Sequence, residues 1–228
     1  MELVNSVANV LQGMVLRTFA DWRVAGRGNV PPYGPLIIVA NHQSYFDSPL
    51  LSTSIPRRTR FLAKDALFKG PVVSWLLRSY GAYPLSRNSA DIGAYRWALR
   101  QLERDRAIAL FPEGTRTLGG MRKAHPGVTL LALRSQAPIL PVGITGTEHL
   151  GSMFRVFKPT GTIGVNMGTP FSLPNVEGNP GREVLDSLTE MIMQRIAALL
   201  PNAYHGVYAI TPRSAAADTA PEPALPVD

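Results

Sequence analysis

The run Leu36-Ile37-Ile38-Val39-Ala40 constrains this chain more than any other segment. Five consecutive apolar residues, three of them β-branched, leave no polar face, so a strand here must be covered on both sides. Helices packed on both faces of a sheet supply that cover. Arg60–Ala63, Ala82–Leu85, Ala107–Phe111, Ile139–Ile144 and Gly161–Met167 read as further short strands. Pro71–Tyr80, Ala90–Glu103 and Val128–Ser135 read as helices between them. The expected fold class is therefore α/β: a mixed, mostly parallel sheet flanked by helices, with an N-terminal amphipathic helix.

That first helix is expected over residues 1–22. Leu3, Val4, Val7, Val10, Leu11, Met14, Val15, Phe19 and Trp22 recur at the helical period, with Glu2, Asn5, Ser6, Asn9, Gln12, Arg17 and Asp21 between them. Such a stripe either enters the headgroup region of a membrane or packs on its own domain or another subunit. A Pro/Gly cluster, Val30–Pro35, separates it from the rest. Asn179 and Pro180 read as the cap and first residue of a last helix. Its stripe of Val184, Leu185, Leu188, Met191, Ile192, Ile196 and Leu199 is expected in the core. The expected organisation is an amphipathic membrane-associating helix (1–22), one folded domain (23–210) and a disordered Pro/Ala tail (211–228).

With 228 residues and 45% apolar content, the chain can bury a core without a metal or disulfide. It has no cysteine, which excludes thiol catalysis and Cys-ligated zinc, and its four histidines lack ligand spacing. Net charge is +7, unevenly spread: Arg57 to Arg134 holds 15 basic and 5 acidic residues, net +10, leaving −3 elsewhere. A basic middle points to an anionic partner, whether nucleic acid, a phosphorylated small molecule or an anionic membrane surface. No stretch reaches the roughly 18 apolar residues of a membrane span. Glu2 stands where a signal peptide would carry positive charge, so the expected location is the cytoplasmic side, without a span.

Four segments concentrate reactive side chains. Asn41-His42-Gln43-Ser44-Tyr45-Phe46-Asp47 follows the buried strand, and ligands bind beyond the carboxyl ends of strands in such sheets. There His42 can act as a base that Asp47 orients, activating a substrate hydroxyl directly. Phe111-Pro112-Glu113-Gly114-Thr115-Arg116 ends another strand and aims a carboxylate, a hydroxyl and a guanidinium into one turn. Gly81–Arg87 leads out to a further Arg, and Pro138–Val142 is a Pro-interrupted apolar strand, suited to an edge or a site lining.

In this order the four segments resemble the glycerolipid acyltransferase family, of the bacterial 1-acylglycerol-3-phosphate acyltransferase type. The resemblance spans roughly residues 22–170, and Phe111–Arg116 matches at all six positions. It implies that His42 is the general base and Asp47 its orienter, and that the deprotonated hydroxyl attacks the thioester of acyl-CoA or acyl carrier protein. It also implies that Arg87 and Arg116 bind the acceptor phosphate and that Glu113, Gly114 and Thr115 shape the glycerol site. The implied partners are lysophosphatidic acid, acyl-CoA and an anionic membrane surface, not nucleic acid. No cofactor or metal is implied beyond the acyl donor, and the implied place is peripheral, on the cytoplasmic face of the cell membrane. Glycerol 3-phosphate or another lyso-lipid is the alternative acceptor; a non-catalytic protein binding anionic membranes is the alternative class. One departure stands out: where the family often has Phe-Lys-x-Gly, this chain has Ala124-His125-Pro126-Gly127, preceded by Lys123. Either His125 or Lys123 can serve there as a phosphate contact.

Overall fold

The computed structural model describes residues 2–86, 91–151, 155, 157–176 and 178–209. Among them seven strands form one sheet: β1 (Asp21–Ala25), β2 (Leu36–Ala40), β3 (Thr59–Lys64), β4 (Ala82–Leu85), β5 (Ala107–Leu110), β6 (Ile139–Thr145) and β7 (Thr162–Met167). The spatial order is β1-β7-β6-β2-β5-β3-β4. Neighbours run parallel except β6 and β7, so β1 and β7 oppose the other five. The apolar run of β2 lies in the middle, with Ile38 opposite Ala109 on one side and Leu140 on the other.

Six helices among the described residues cover the sheet: α1 (Glu2–Phe19), α2 (Asp47–Ser54), α3 (Pro71–Tyr80), α4 (Ile92–Leu102), α5 (Gly127–Ser135) and α6 (Arg182–Ala197). Alternate residues of β2 sort them onto two faces. Leu36, Ile38 and Ala40 pack with Leu16 of α1, Leu50 and Leu51 of α2 and Tyr80 of α3. Ile37 and Val39 pack with Ala98 and Leu102 of α4, Leu131 of α5 and Ile192 and Ile196 of α6.

Local sequence fixes several boundaries. Pro71 opens α3, and Gly81, at φ 106°, ends it in the left-handed region that favours glycine. Asp91 caps α4 by accepting from the Ala94 N–H at 2.8 Å.

Three expectations need correction. The first helix stops at Phe19 rather than residue 22, because Asp21–Ala25 pairs with β7 and takes Trp22 into a strand. The last helix starts at Arg182 with Gly181 as its N-cap, not at Asn179–Pro180. Val184 remains exposed beside that start, outside the core. Residues 210–228, which contain the expected tail, lie outside the described residues.

The first helix also packs in an inverted sense. Apart from the core residue Leu16, its inward side is polar: the Asn5 side chain donates to the Tyr80 carbonyl at 2.9 Å, and the Tyr80 hydroxyl donates to Asn9 Oδ1 at 3.3 Å. Burial pushes the Tyr80 phenol up to about 12, so it remains a donor through the neutral range. Gly13 lies against α2, where an added Cβ would stand 3.5 Å from Thr53 Cγ2. The apolar Val7, Val10, Leu11, Met14 and Phe19 are left exposed.

Candidate active site

Chain direction creates the site. From the carboxyl end of β2 the chain crosses to α2 on one face, and from that of its neighbour β5 it leaves toward α5 on the other. Diverging connections leave a crevice at the topological switch point, where open α/β sheets place their ligands. His42 follows β2 at this crevice and Glu113 follows β5.

The imidazole of His42 is held from three directions. Its Nδ1 is 2.8 Å from Asp47 Oδ2. Its ring stacks on Phe111, centroids 4.0 Å apart and planes 18° from parallel. Its backbone N–H donates to Glu113 Oε1 at 2.9 Å, and its carbonyl accepts from the Thr117 N–H at 2.8 Å. The side chain is 14% exposed, and Nε2 carries no hydrogen bond among the described residues.

Asp47 opens α2 and is fully buried. Besides the imidazole, its carboxylate accepts the Gln43 and Ser44 N–H groups at 2.7 and 2.8 Å and the Thr147 hydroxyl at 2.7 Å. A carboxylate accepts only, so Nδ1 keeps the proton and Nε2 is the basic nitrogen. This arrangement can take a proton from a hydroxyl at Nε2 while Asp47 steadies the imidazolium that forms.

Glu113 is buried, and three protein donors converge on it. Oε2 accepts the Thr117 hydroxyl at 3.1 Å and the Arg122 N–H at 2.8 Å, and Oε1 holds His42 as described. Burial pushes its carboxyl above the usual glutamate range, against the N–H groups of Arg122 and His42 and the Thr117 hydroxyl, which pull it down. The carboxylate thus ties the β5 loop to the β2 loop.

The remaining expected residues fall into two groups. Arg116 is exposed, and its guanidinium lies 3.4 Å from the centre of the Tyr45 ring, on the side toward α2. Gly114 and Thr115 stand beside it at the turn, Gly114 at φ 66° with the His125 ring so close that an added Cβ would lie 2.9 Å from Cδ2. Lys123 and His125 lie on the other side, toward α5 and α6, lining a groove of about 610 Å³ with Arg182 and Asp186. Arg87 lies outside the described residues.

Sequence reasoning missed four participants. Thr147 follows the Pro-interrupted strand already suspected of lining the site, so a polar residue past its carboxyl end was a readable signal. Asn41 bridges β2 to β6, donating to the Ile144 carbonyl and accepting its N–H, both at 2.8 Å. The roles of Phe111 and Tyr45 as ring platforms had no linear signal.

Known proteins resemble this chain in sequence and fold. A family model described as Acyltransferase matches residues 21–145, more than half of the chain. A 1-acyl-sn-glycerol-3-phosphate acyltransferase of Bacillus subtilis (strain 168) is 25% identical over 193 residues, 84% of this chain and 94% of that protein. A lyso-ornithine lipid O-acyltransferase of Pseudomonas aeruginosa is 35% identical over 125 residues, 54% of this chain and 46% of that one. The crystal structure of the 1-acyl-sn-glycerophosphate acyltransferase PlsC from Thermotoga maritima matches with a TM-score of 0.66 at 27% identity, covering 87% of this chain and 80% of its own. Across the first relatives, this chain spans from 44% to 94% of the other protein's length.

Proposed function

This chain belongs to the acyltransferase family, and on that premise we propose that it acylates the free hydroxyl of 1-acylglycerol 3-phosphate, making phosphatidic acid. The observation that carries the chemistry is the 2.8 Å contact of His42 Nδ1 with a buried Asp47, which leaves Nε2 as the basic nitrogen. Nε2 takes the proton of the acceptor hydroxyl as its oxygen attacks the thioester carbon. The tetrahedral intermediate collapses, the C–S bond breaks, and the thiolate leaves with the proton returned from His42. A positioned general base contributes about 10²–10⁴-fold to such a step.

The acceptor's phosphate pairs with Arg116, and with Arg87 beyond β4, while Gly114 and Thr115 flank its glycerol and Glu113 supports that pocket from below. The Arg116 guanidinium, held 3.4 Å from the centre of the Tyr45 ring, has N–H donors for phosphate oxygens. Identity with acylglycerol-phosphate acyltransferases over most of the chain supports this acceptor.

The enzyme works at a membrane surface as a peripheral protein; no helix among the described residues is long and apolar enough to cross one. Support comes from the outward apolar residues of α1 together with Val72, Val73, Trp75 and Leu76 of the adjacent α3, each between 44% and 74% exposed. Basic residues edge this surface: Lys158 lies over Phe19 and Arg78 over Phe68. Near an anionic bilayer each such charge adds about 1 kcal/mol of attraction. An interfacial position brings the lipid acceptor to the α1–α3 side of the crevice, where Arg116 lies.

The test is an acceptor panel with product identification by mass spectrometry: lysophosphatidic acid, glycerol 3-phosphate and a lyso-ornithine lipid, each with palmitoyl-CoA. Phosphatidic acid as the main product supports the reading. A preference for the ornithine lipid, the acceptor in the name of the 35% identical relative, overturns the acceptor assignment and leaves the base mechanism standing.

A further inference from the structure

The crevice has basic side chains on both faces of the sheet. Arg116 lies over Tyr45, two residues ahead of α2. On the opposite face Lys123, His125 and Arg182 line the groove of about 610 Å³, with Leu185 and one acidic residue, Asp186. The acyl-transfer reading uses the first and leaves the second without a role.

We propose that the Lys123–His125–Arg182 groove binds the phosphates of coenzyme A, the hydrophilic end of the acyl donor. The proposal rests on the acyl-transfer reading and reassigns Lys123 and His125 from the acceptor's phosphate to the donor's. Three observations carry it.

The first is charge and size. Coenzyme A presents one pyrophosphate and a 3′-phosphate, three phosphoryl groups in all, and the groove offers three basic side chains in a volume within the range of small-ligand sites. Asp186 lies 4.0 Å from Arg182 Nε, which leaves the two terminal nitrogens of that guanidinium for a ligand. The groove also borders the first turns of α5 and α6, whose N-caps, Pro126 and Gly181, have no side-chain acceptor to cap them.

The second is proximity to the base. His125 donates its N–H to the Pro112 carbonyl at 2.9 Å, and Pro112 follows Phe111, which stacks on His42 at 4.0 Å. One ring contact, one residue and one hydrogen bond span roughly 10–15 Å. An extended pantetheine arm covers that span, so phosphates in the groove let the thioester reach His42.

The third is sidedness. The exposed apolar residues of α1 and α3 lie on the face opposite α5 and α6. A protein seated on lipid by that face takes its lipid acceptor from the bilayer side and keeps the groove in water, where a soluble nucleotide arrives. The two phosphate-bearing substrates then approach His42 from opposite faces and do not compete for one cationic site.

The test uses the full chain with Lys123→Gln, Arg182→Gln and the double substitution, all at exposed positions. The proposal predicts that KM for palmitoyl-CoA rises by about tenfold or more in the double variant, as expected for lost charged contacts to phosphate. KM for lysophosphatidic acid and kcat are expected to stay within about twofold of wild type. A rise in the acceptor KM instead, or no change in either, overturns the proposal. Calorimetry with adenosine 3′,5′-bisphosphate reads the groove without catalysis: binding to wild type and loss in the double variant is the expected result. Failure of the wild-type protein to bind this probe overturns the groove assignment even if acyl transfer is intact. Binding without any acyl transfer keeps the groove and defeats the enzymatic reading.

Discussion

Glu113 Oε1 accepts the backbone N–H of His42 at 2.9 Å, joining the two loops that end adjacent central strands. The carboxylate in the second sequence motif thereby positions the histidine in the first. Its other oxygen is occupied by Thr117 and Arg122, so one buried side chain fixes three segments of backbone around the crevice.

Glu113→Gln is therefore expected to weaken both fold and reaction. The amide must turn an NH₂ toward at least one donor, and a buried unsatisfied donor costs about 1–3 kcal/mol. For a chain of this length each kcal/mol lowers Tm by roughly 2–4 °C. Calorimetric melting checks the first effect and kcat the second; unchanged values for both contradict the positioning role.

The same side chain has a pH signature. Burial raises its folded pKa above the unfolded one, so the folded state holds the proton more tightly between the two values. The stability this contributes is fully present below the unfolded pKa of about 4.3 and is lost as pH rises through the raised folded pKa. The Tm difference between wild type and Glu113→Gln should thus narrow from acidic toward neutral pH. A difference that widens contradicts the burial argument.

Thr147 acts on the base through Asp47. Thr147→Val keeps the volume and removes the hydroxyl that donates to Asp47 Oδ1. A net hydrogen bond of about 0.5–1.5 kcal/mol corresponds to roughly 2–12-fold in kcat. Both KM values should hold, and Thr147→Ser should recover most of the rate. A loss confined to KM, or no recovery with Ser, marks a different role.

For the membrane surface, Val10→Asp combined with Leu11→Asp places charge on the outward face of α1, away from its polar contacts with Tyr80. Burying one large apolar side chain contributes about 1.5–3 kcal/mol, so the pair should lose more than tenfold in partition onto anionic vesicles. Turnover of a short-chain, monomeric acceptor should survive. Undiminished flotation excludes this face as the contact.

Where fold features were legible in sequence, the signal was local. The unbroken apolar run of β2 and the Pro71/Gly81 brackets of α3 fix their own boundaries. The first strand was hidden because Trp22 continues the helical spacing of the preceding stretch, and only pairing with β7 decides its conformation. Helix α2, Asp47–Ser54, is short, serine-rich and interrupted by Pro49, which is tolerated because it falls in the first turn. The motifs His42–Asp47 and Phe111–Arg116 were readable as chemistry, but not the bond from Glu113 to the His42 N–H nor that from Thr147 to Asp47, since both depend on which strands become neighbours. Nor did the helical period reveal which side of α1 faces the protein: two polar contacts with Tyr80 of α3 decide that.

The most direct test of the central claim is release of coenzyme A thiol from palmitoyl-CoA, with and without lysophosphatidic acid, by wild type and His42→Ala. The account predicts acceptor-dependent release by wild type and a drop of about 10²-fold or more in the variant, measured at a temperature where both proteins are folded. Release that persists in His42→Ala contradicts the assignment of Nε2 as the base.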